Sequence, residues 1–126
     1  MMVLSAPVSL KTKLITPRLA ETRDWYRDLL GLELLEEWDE PGDRGCILGL
    51  ATGLREALLE IHEGEDPGSF AGISLQFRVP NVDQFPLPPG PRFASSGPEE
   101  RPWGSRYLFL TDPNGVSVVI FSGSSL

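Results

Sequence analysis

Alternation of apolar and polar positions predicts most of the secondary structure of this chain. In Ala71–Val79 apolar residues alternate with Ser74, Gln76 and Arg78. This pattern is typical of a strand in a sheet that is covered on one side and open on the other. Shorter runs predict further strands at Val8–Ile15, Leu32–Trp38, Gly45–Leu50, Arg55–His62 and Arg92–Ala94.

The segment Trp103–Phe121 carries the clearest pattern, with two aromatic and β-branched runs around the turn sequence Asp-Pro-Asn-Gly. Pro113 fixes one φ angle of the turn, and Gly115 supplies the positive φ that closes it. The segment is therefore predicted to be a β-hairpin. The preceding Ser95–Pro102 is predicted to be a loop. Its part Pro98–Pro102 is expected to be solvated, or alternatively to act as a flap over the cleft.

One amphipathic helix is predicted to begin at Thr16-Pro17, with Thr16 as the N-cap and Pro17 in the first turn. Gly31 is expected to end it in the left-handed conformation. Its apolar stripe follows helical spacing and comprises Thr22, Trp25, Tyr26, Leu29 and Leu30.

The predicted order is strand, helix and three strands, and this plan then repeats. Module one spans about 8–63 and module two about 71–122, separated by the polar segment Gly64–Gly68. A second helix starts near Asn81, but Pro86 and the prolines after it shorten it to about a turn. These patterns predict one α+β domain in which two paired βαβββ modules form a curved, mostly antiparallel eight-stranded sheet around a cleft.

Composition narrows the choice of partners and compartment. A net charge of −7 argues against a nucleic-acid or anionic-membrane surface. Cys46 is the only cysteine, so no intrachain disulfide forms, and a reduced, cytoplasmic setting is the default. It lies in an apolar run, which favours a buried, inert thiol. Residues 1–10 show the pattern of neither a signal peptide nor a membrane span.

Candidate site residues form a polar row predicted to face inward. Hydrogen-bond donors dominate this row, which favours a ligand with carbonyl, carboxylate or phosphate oxygens, although a Lys11–Glu60 bridge could be purely structural. Trp38 and Trp103 border loops, where they would either stack on a flat ligand or pack in the core or a dimer interface. The row comprises Lys11, Lys13, Glu60, Ser74, Gln76 and Arg78, with Arg106 added if the hairpin carries the appropriate bulge.

The chain's single histidine, His62, follows Glu60 on the same face of a predicted strand. The two side chains could offer a two-ligand corner for a metal ion. The alternative is a polar histidine at a strand end beside a loop. No nucleophile–base pair accompanies them in the sequence, so a hydrolytic site is poorly supported.

Three segments together resemble the vicinal oxygen chelate superfamily, the glyoxalase, bleomycin resistance protein and extradiol dioxygenase family. They are LAETRDWYRDLLGLELL, FRVPNVDQF and WGSRYLFLTDPNGVSVVIF, which occur in the family's order over nearly the whole chain. The resemblance implies paired βαβββ modules and usually a homodimer.

Metal-dependent members of that family hold one divalent ion with four side chains from four strands. The resemblance carries these positions onto Lys11, Glu60, Ser74 and Val119, of which only Glu60 is a good metal ligand. It therefore implies a protein that uses no metal or other cofactor.

The favoured hypothesis is a metal-independent protein that binds a polar or anionic small molecule, with neither nucleic acid nor membrane as partner. One alternative is a lyase, isomerase or dioxygenase with an altered metal-ligand set around Glu60 and His62. Another is a non-catalytic scaffold or regulatory domain.

Overall fold

A computed structural model describes residues 5–123, and the chain divides between Pro67 and Gly68 into two compact units. The first unit contains β1 (Leu10–Thr16), α1 (Leu19–Leu30), β2 (Glu33–Glu40), β3 (Asp43–Gly49) and β4 (Ala57–Glu63). The second contains β5 (Ser74–Arg78), β6 (Ser95–Glu100), β7 (Arg106–Thr111) and β8 (Ser117–Ser122), with 3₁₀ turns at Val82–Gln84 and Pro91–Phe93.

Both units have the same sheet topology. In the first, the strand order is β1-β4-β3-β2, with β1 parallel to β4 and the other pairs antiparallel. In the second, the order is β5-β8-β7-β6, again with one parallel and two antiparallel pairs. The α+β prediction of two βαβββ modules is confirmed, with the eight strands divided into two four-stranded sheets.

Helix α1 packs against β3 and β4 of its own unit. Trp25 and Tyr26 are buried on its inner face, as the helical spacing predicts, and their rings meet edge to face at 4.9 Å. Gly31 ends the helix at φ 63°, and its N–H donates to the Arg27 carbonyl at 2.9 Å. The helix therefore covers one face of the first sheet and leaves the other for Lys11, Lys13 and Glu60.

The predicted start of α1 is wrong by two residues. Thr16 ends β1, in register with Glu63, and Arg18 occupies the N-cap position without a side-chain cap. The Thr16 hydroxyl instead accepts a hydrogen bond from the Arg18 backbone N–H at 2.9 Å. Pairing with β4 therefore extends the strand through Thr16 and delays the helix.

The second helix is reduced to a 3₁₀ turn over Val82–Gln84, which confirms the shortened helix. The Asn81 carboxamide oxygen accepts a hydrogen bond from the Asp83 N–H at 3.0 Å and caps this turn. Pro86 follows closely and has no N–H with which to continue a helix.

Two predictions between this turn and the hairpin are wrong. Arg92–Ala94 is not a strand, because Pro91–Phe93 forms a 3₁₀ turn that buries Phe93. The sixth strand is Ser95–Glu100, where a loop or flap was expected. This polar segment has no alternating pattern, and its strand depends on pairing with β7 across a register shift between Ser96 and Glu99.

The turn between β7 and β8 is confirmed as predicted. The Asp112 Oδ1 atom accepts hydrogen bonds from the Asn114 N–H at 2.7 Å and the Val116 N–H at 2.9 Å. Gly115 supplies the positive φ, at 87°. Side-chain and backbone chemistry thus both favour this hairpin.

The expectation for residues 1–10 falls partly on residues 1–4, which lie outside the described residues, as do 124–126. Within 5–123, no helix has the length and apolar character that crossing a membrane requires.

Candidate functional site

The first sheet has a face opposite α1, here called the lysine face, on which three rows of cross-strand neighbours lie side by side. Partners in register on adjacent strands point their side chains to the same face, so the pairing defines each row. The rows are Lys11, Leu58, Gly49 and Glu33; Lys13, Glu60, Ile47 and Glu36; and Ile15, His62, Gly45 and Trp38.

Both lysines of the chain pair with Glu60 on this face. Lys11 Nζ lies 2.9 Å from Glu60 Oε1, and Lys13 Nζ lies 3.7 Å from Glu60 Oε2. The Glu60 side chain is only 10% exposed, whereas the lysine side chains are 46% and 49% exposed. Two ammonium groups around one carboxylate leave an excess of one positive charge, which the exposed lysines present to solvent.

A second polar group on the lysine face joins Asp43 to Trp38 and His62. Asp43 Oδ1 lies 2.9 Å from Trp38 Nε1 and 2.8 Å from His62 Nε2. The hydrogen bond with His62, followed by that from Trp38, holds the pKa of Asp43 below its ordinary value. The sequence does not mark Asp43 as a site residue, because Pro41-Gly42-Asp43 has the composition of a simple turn.

Glu60 and His62 are thus engaged with different partners. Glu60 contacts the two lysines, and His62 contacts Asp43. Across residues 5–123 the structure contains no group of three or more His, Cys, Asp or Glu side chains able to hold a metal ion. The lysine face is therefore built from ammonium, imidazole and indole groups around isolated carboxylates.

The second sheet brings three predicted residues together on one face, here called the glutamine face. Ser74, Gln76 and Arg78 alternate along β5, and Gln76 Nε2 donates to Ser74 Oγ at 3.0 Å. The Tyr107 hydroxyl donates to Gln76 Oε1 at 3.3 Å. Arg78 Nη2 donates to the Gly123 carbonyl at 2.9 Å, so this guanidinium is tied to the end of β8.

Arg106 does not belong to this row. Strands β7 and β8 pair without a register shift, so Arg106 and Tyr107 point to opposite faces, and Tyr107 is on the glutamine face. The Arg106 guanidinium forms a bidentate pair with Asp83 at 2.9 and 2.8 Å. The Asp83 hydrogen bonds raise the pKa of Arg106. Arg106 therefore anchors the 3₁₀ turn to the sheet.

Trp103 is half exposed and contacts Tyr107, with ring centroids 5.9 Å apart. The Arg101 guanidinium lies over the Trp103 ring, 5.1 Å from its centroid, and also bonds to Glu99 at 2.6 Å. Neither Tyr107 nor Arg101 was predicted from the sequence as a site residue. The β6 strand, predicted as a loop, brings Arg101 to these rings.

The four positions to which the family resemblance carries metal ligands fall into two pairs, one in each unit. Lys11 and Glu60 form the ion pair described above. Ser74 and Val119 lie on one face of the adjacent strands β5 and β8, since Gln76 is in register with Val119. Val119 is 3% exposed and has no donor atom in its side chain.

Comparison with known proteins assigns the chain to a family. The model of the Glyoxalase/Bleomycin resistance protein/Dioxygenase superfamily matches residues 9–86, more than half of the chain. The chain belongs to this superfamily. No curated protein sequence matches the chain.

Several solved structures have a similar fold. The antibiotic-binding protein TnmS3 from Streptomyces sp. CB03234 is 18% identical, with a TM-score of 0.73 over 98% of this chain and 100% of that one. The fosfomycin resistance protein FosX from Listeria monocytogenes, solved with Mn(II) and sulfate, is 15% identical, with a TM-score of 0.66 over 98% and 96%. A lactoylglutathione lyase from Agrobacterium tumefaciens is 21% identical, with a TM-score of 0.61 over 94% of each chain.

Proposed function

We propose that this superfamily member is a metal-independent protein that binds a small polar or anionic molecule on the lysine face. The observation that carries the proposal is the contact of both lysines with Glu60, at 2.9 and 3.7 Å. This contact puts two positive charges beside Glu60. Of the four positions that correspond to the family's metal ligands, only Glu60 could hold a metal ion.

The electrostatics of this arrangement favour an anion over a cation. A divalent ion at Glu60 would have to displace two ammonium groups and would then be repelled by them. An anion instead meets the excess positive charge on side chains that are still half exposed, so it can bind without breaking the pairs with Glu60. The charge is local, because the chain as a whole carries −7.

The glutamine face and the relatives also support a binding function. Ser74, Gln76 and Tyr107 form a hydrogen-bonded row of polar groups that a ligand could join. TnmS3 is described as an antibiotic-binding protein, so binding without any stated reaction occurs on this fold. FosX was solved with Mn(II) and sulfate, so a protein that holds a metal ion also has this fold.

A metal-dependent lyase, isomerase or dioxygenase is the second candidate. The observation that favours it is the 2.8 Å contact between His62 Nε2 and Asp43 Oδ1 on the same face as Glu60. A carboxylate that orients a histidine is a common support for a metal ligand. In this candidate, Glu60 would have to exchange its lysine partners for the ion.

One experiment separates the two candidates. Protein purified without chelator is analysed for bound metals, and then dialysed against EDTA and titrated with phosphate, citrate and acetate by thermal shift. A ligand that binds only the folded state raises the melting temperature as its concentration rises. If the protein is a metal-independent binder, we expect less than 0.1 metal ion per chain and an anion-dependent rise in melting temperature that persists after EDTA dialysis.

Charge-removing variants locate the binding. Lys13→Met should reduce the shift at least threefold, whereas Arg55→Met, at an exposed position ahead of β4, should leave it unchanged. Stoichiometric metal that Glu60→Ala removes would overturn the proposal in favour of the enzyme. A protein with neither metal nor anion-dependent shift would be a scaffold.

We also propose that the protein is a cytoplasmic homodimer. Its single cysteine is buried and needs no oxidising compartment. The edge strand β1 begins beside exposed apolar residues, with Val8 86% and Leu10 72% exposed, and such residues are commonly covered in a dimer. Sedimentation equilibrium should give twice the chain mass, and a concentration-independent monomer would refute this proposal.

A further inference from the structure

We propose that the ligand of the lysine face is an amphipathic anion, with an acidic head group held by the lysines of β1 and a flat apolar body lying across β3. This inference rests on the proposed function and narrows it to one chemical class. Arylcarboxylates of two fused rings are the simplest molecules of that class.

Two glycines of β3 lower the floor of the lysine face. Gly45 and Gly49 occupy the two rows that flank the row of Ile47, which is half-buried. A Cβ at Gly49 would lie 2.9 Å from Leu35 Cδ1 and 3.4 Å from Leu58 Cδ2. The side chains of neighbouring strands thus lie over the glycine backbone and, with Ile47, form an apolar floor.

The Trp38 indole borders this floor on the next row. A Cβ at Gly45 would lie 2.5 Å from Trp38 Cζ2, so the indole lies directly against the backbone there. The hydrogen bond from Trp38 Nε1 to Asp43 and the nearby ring of His62, with centroids 6.2 Å apart, hold the indole in place. A planar apolar body would therefore meet aliphatic side chains below it and an aromatic ring at its side.

Charge across the lysine face is graded from one edge to the other. The lysines lie on β1 at one edge, whereas Glu36 lies on β2 at the opposite edge, in register with Ile47. An anion bound across the floor is attracted at the β1 side and repelled at the β2 side. Its acidic head must therefore point toward β1.

Strand spacing sets the size of the ligand. Neighbouring strands lie about 4.8 Å apart, so the floor at Ile47 on β3 lies about 10 Å across the sheet from the backbone of β1. The lysine side chains extend over part of that span. A carboxylate attached directly to two fused rings can therefore reach an ammonium group while its rings cover Ile47.

Three probes of matched chemistry test the proposal on the EDTA-dialysed full chain: 2-naphthoate, 2-naphthalenemethanol and acetate. The first has both head and body, the second lacks the charge, and the third lacks the body. We expect 2-naphthoate to bind at least tenfold more tightly than either of the others by calorimetry. In methyl NMR spectra, it should also shift the Ile47 δ1 resonance through the ring current of the naphthalene.

Matched substitutions test the floor. Ile47→Thr keeps the branch at Cβ but replaces the ethyl group with a hydroxyl, and should weaken 2-naphthoate binding at least fivefold while acetate binding stays unchanged. Ile73→Thr, the same change at a position that is 56% exposed in the other unit, should change neither. The Ile47 ring-current shift in the unsubstituted protein remains decisive if Ile47→Thr does not fold.

Each contrary result has its own meaning. Equal binding of 2-naphthoate and acetate, with both lost in Lys13→Met, would overturn the amphipathic ligand while the proposed function stands. Equal binding of 2-naphthoate and its alcohol would overturn both. If no probe binds and Ile47→Thr changes the sedimentation mass, a second copy of the chain covers this face and the proposal fails.

Discussion

Lys11 Nζ lies 2.9 Å from Glu60 Oε1, and this contact joins the edge strand β1 to the neighbouring strand β4. The exposures of the partners are unequal, since the carboxylate is buried and the ammonium groups of Lys11 and Lys13 reach solvent. The loss of unfolding free energy on breaking this cluster should therefore depend on whether the carboxylate or the two ammonium groups are removed.

Glu60→Gln should destabilise the protein by only about 1 kcal/mol, because the lysines left behind remain solvated. The double change Lys11→Met and Lys13→Met should cost more, about 2 kcal/mol, because it leaves a buried carboxylate without compensation. Urea unfolding at pH 7 measures both values. Equal losses, or a larger loss for Glu60→Gln, would contradict the burial of the carboxylate.

Asp112 supports the β7–β8 turn through two hydrogen bonds to backbone N–H groups, at 2.7 and 2.9 Å. Asp112→Ala leaves both donors without this acceptor, and the Val116 donor is buried, so we expect a loss of about 2 kcal/mol in unfolding free energy. Asp112→Asn keeps an oxygen acceptor and serves as the control, with less than half of that loss. Denaturant unfolding checks both, and equal losses would show that charge dominates.

The Asp43 carboxylate should make the stability of the protein depend on pH at the acid end. Its folded pKa is lowered by hydrogen bonds with His62 and Trp38, so its contribution is fully present above the unfolded pKa and is lost as the pH falls through the folded pKa. Wild type should therefore be more stable than Asp43→Ala at pH 5, and the difference should shrink steadily below about pH 4. A difference that stays constant down to pH 2.5 would contradict the lowered pKa.

Cys46 should react slowly with thiol reagents in the native protein. The residue is 1% exposed, and burial raises the pKa of its thiol to about 11, so the nucleophilic thiolate is scarce at pH 8. We expect its labelling by iodoacetamide to be at least a hundredfold slower than in urea-unfolded protein. A native rate within tenfold of the unfolded rate would contradict the burial.

The fold was predictable because local signals agreed with the tertiary contacts. Trp25 and Tyr26 follow helical spacing and are buried in the core, and the Asp112 turn has both the glycine and the acceptor that it needs. Strand β6 escaped prediction because its sequence is polar and has no alternation. Its pairing with β7 is a long-range effect that no local pattern reveals.

The candidate site was predictable only in part. Alternation along single strands placed Lys11, Lys13 and Glu60 on one face, because side-chain direction in a strand follows from position alone. The partner of His62 could not be predicted, since Asp43 lies 19 residues away and reaches His62 through strand pairing. The direction of the Arg106 side chain stayed open in the sequence, because a bulge between β7 and β8, or its absence, is not visible there; the two strands pair without one.

NMR of the lysine side chains tests the central claim most directly. The chain has only two lysines, so reductive methylation with ¹³C-formaldehyde labels both and keeps their charge; Lys11→Met and Lys13→Met assign the signals. With EDTA present, 2-naphthoate should shift both lysine signals, and stoichiometric Mn²⁺ without EDTA should leave them sharp. Lysine signals that one equivalent of Mn²⁺ broadens, with anion binding only when that ion is present, would contradict a metal-independent site.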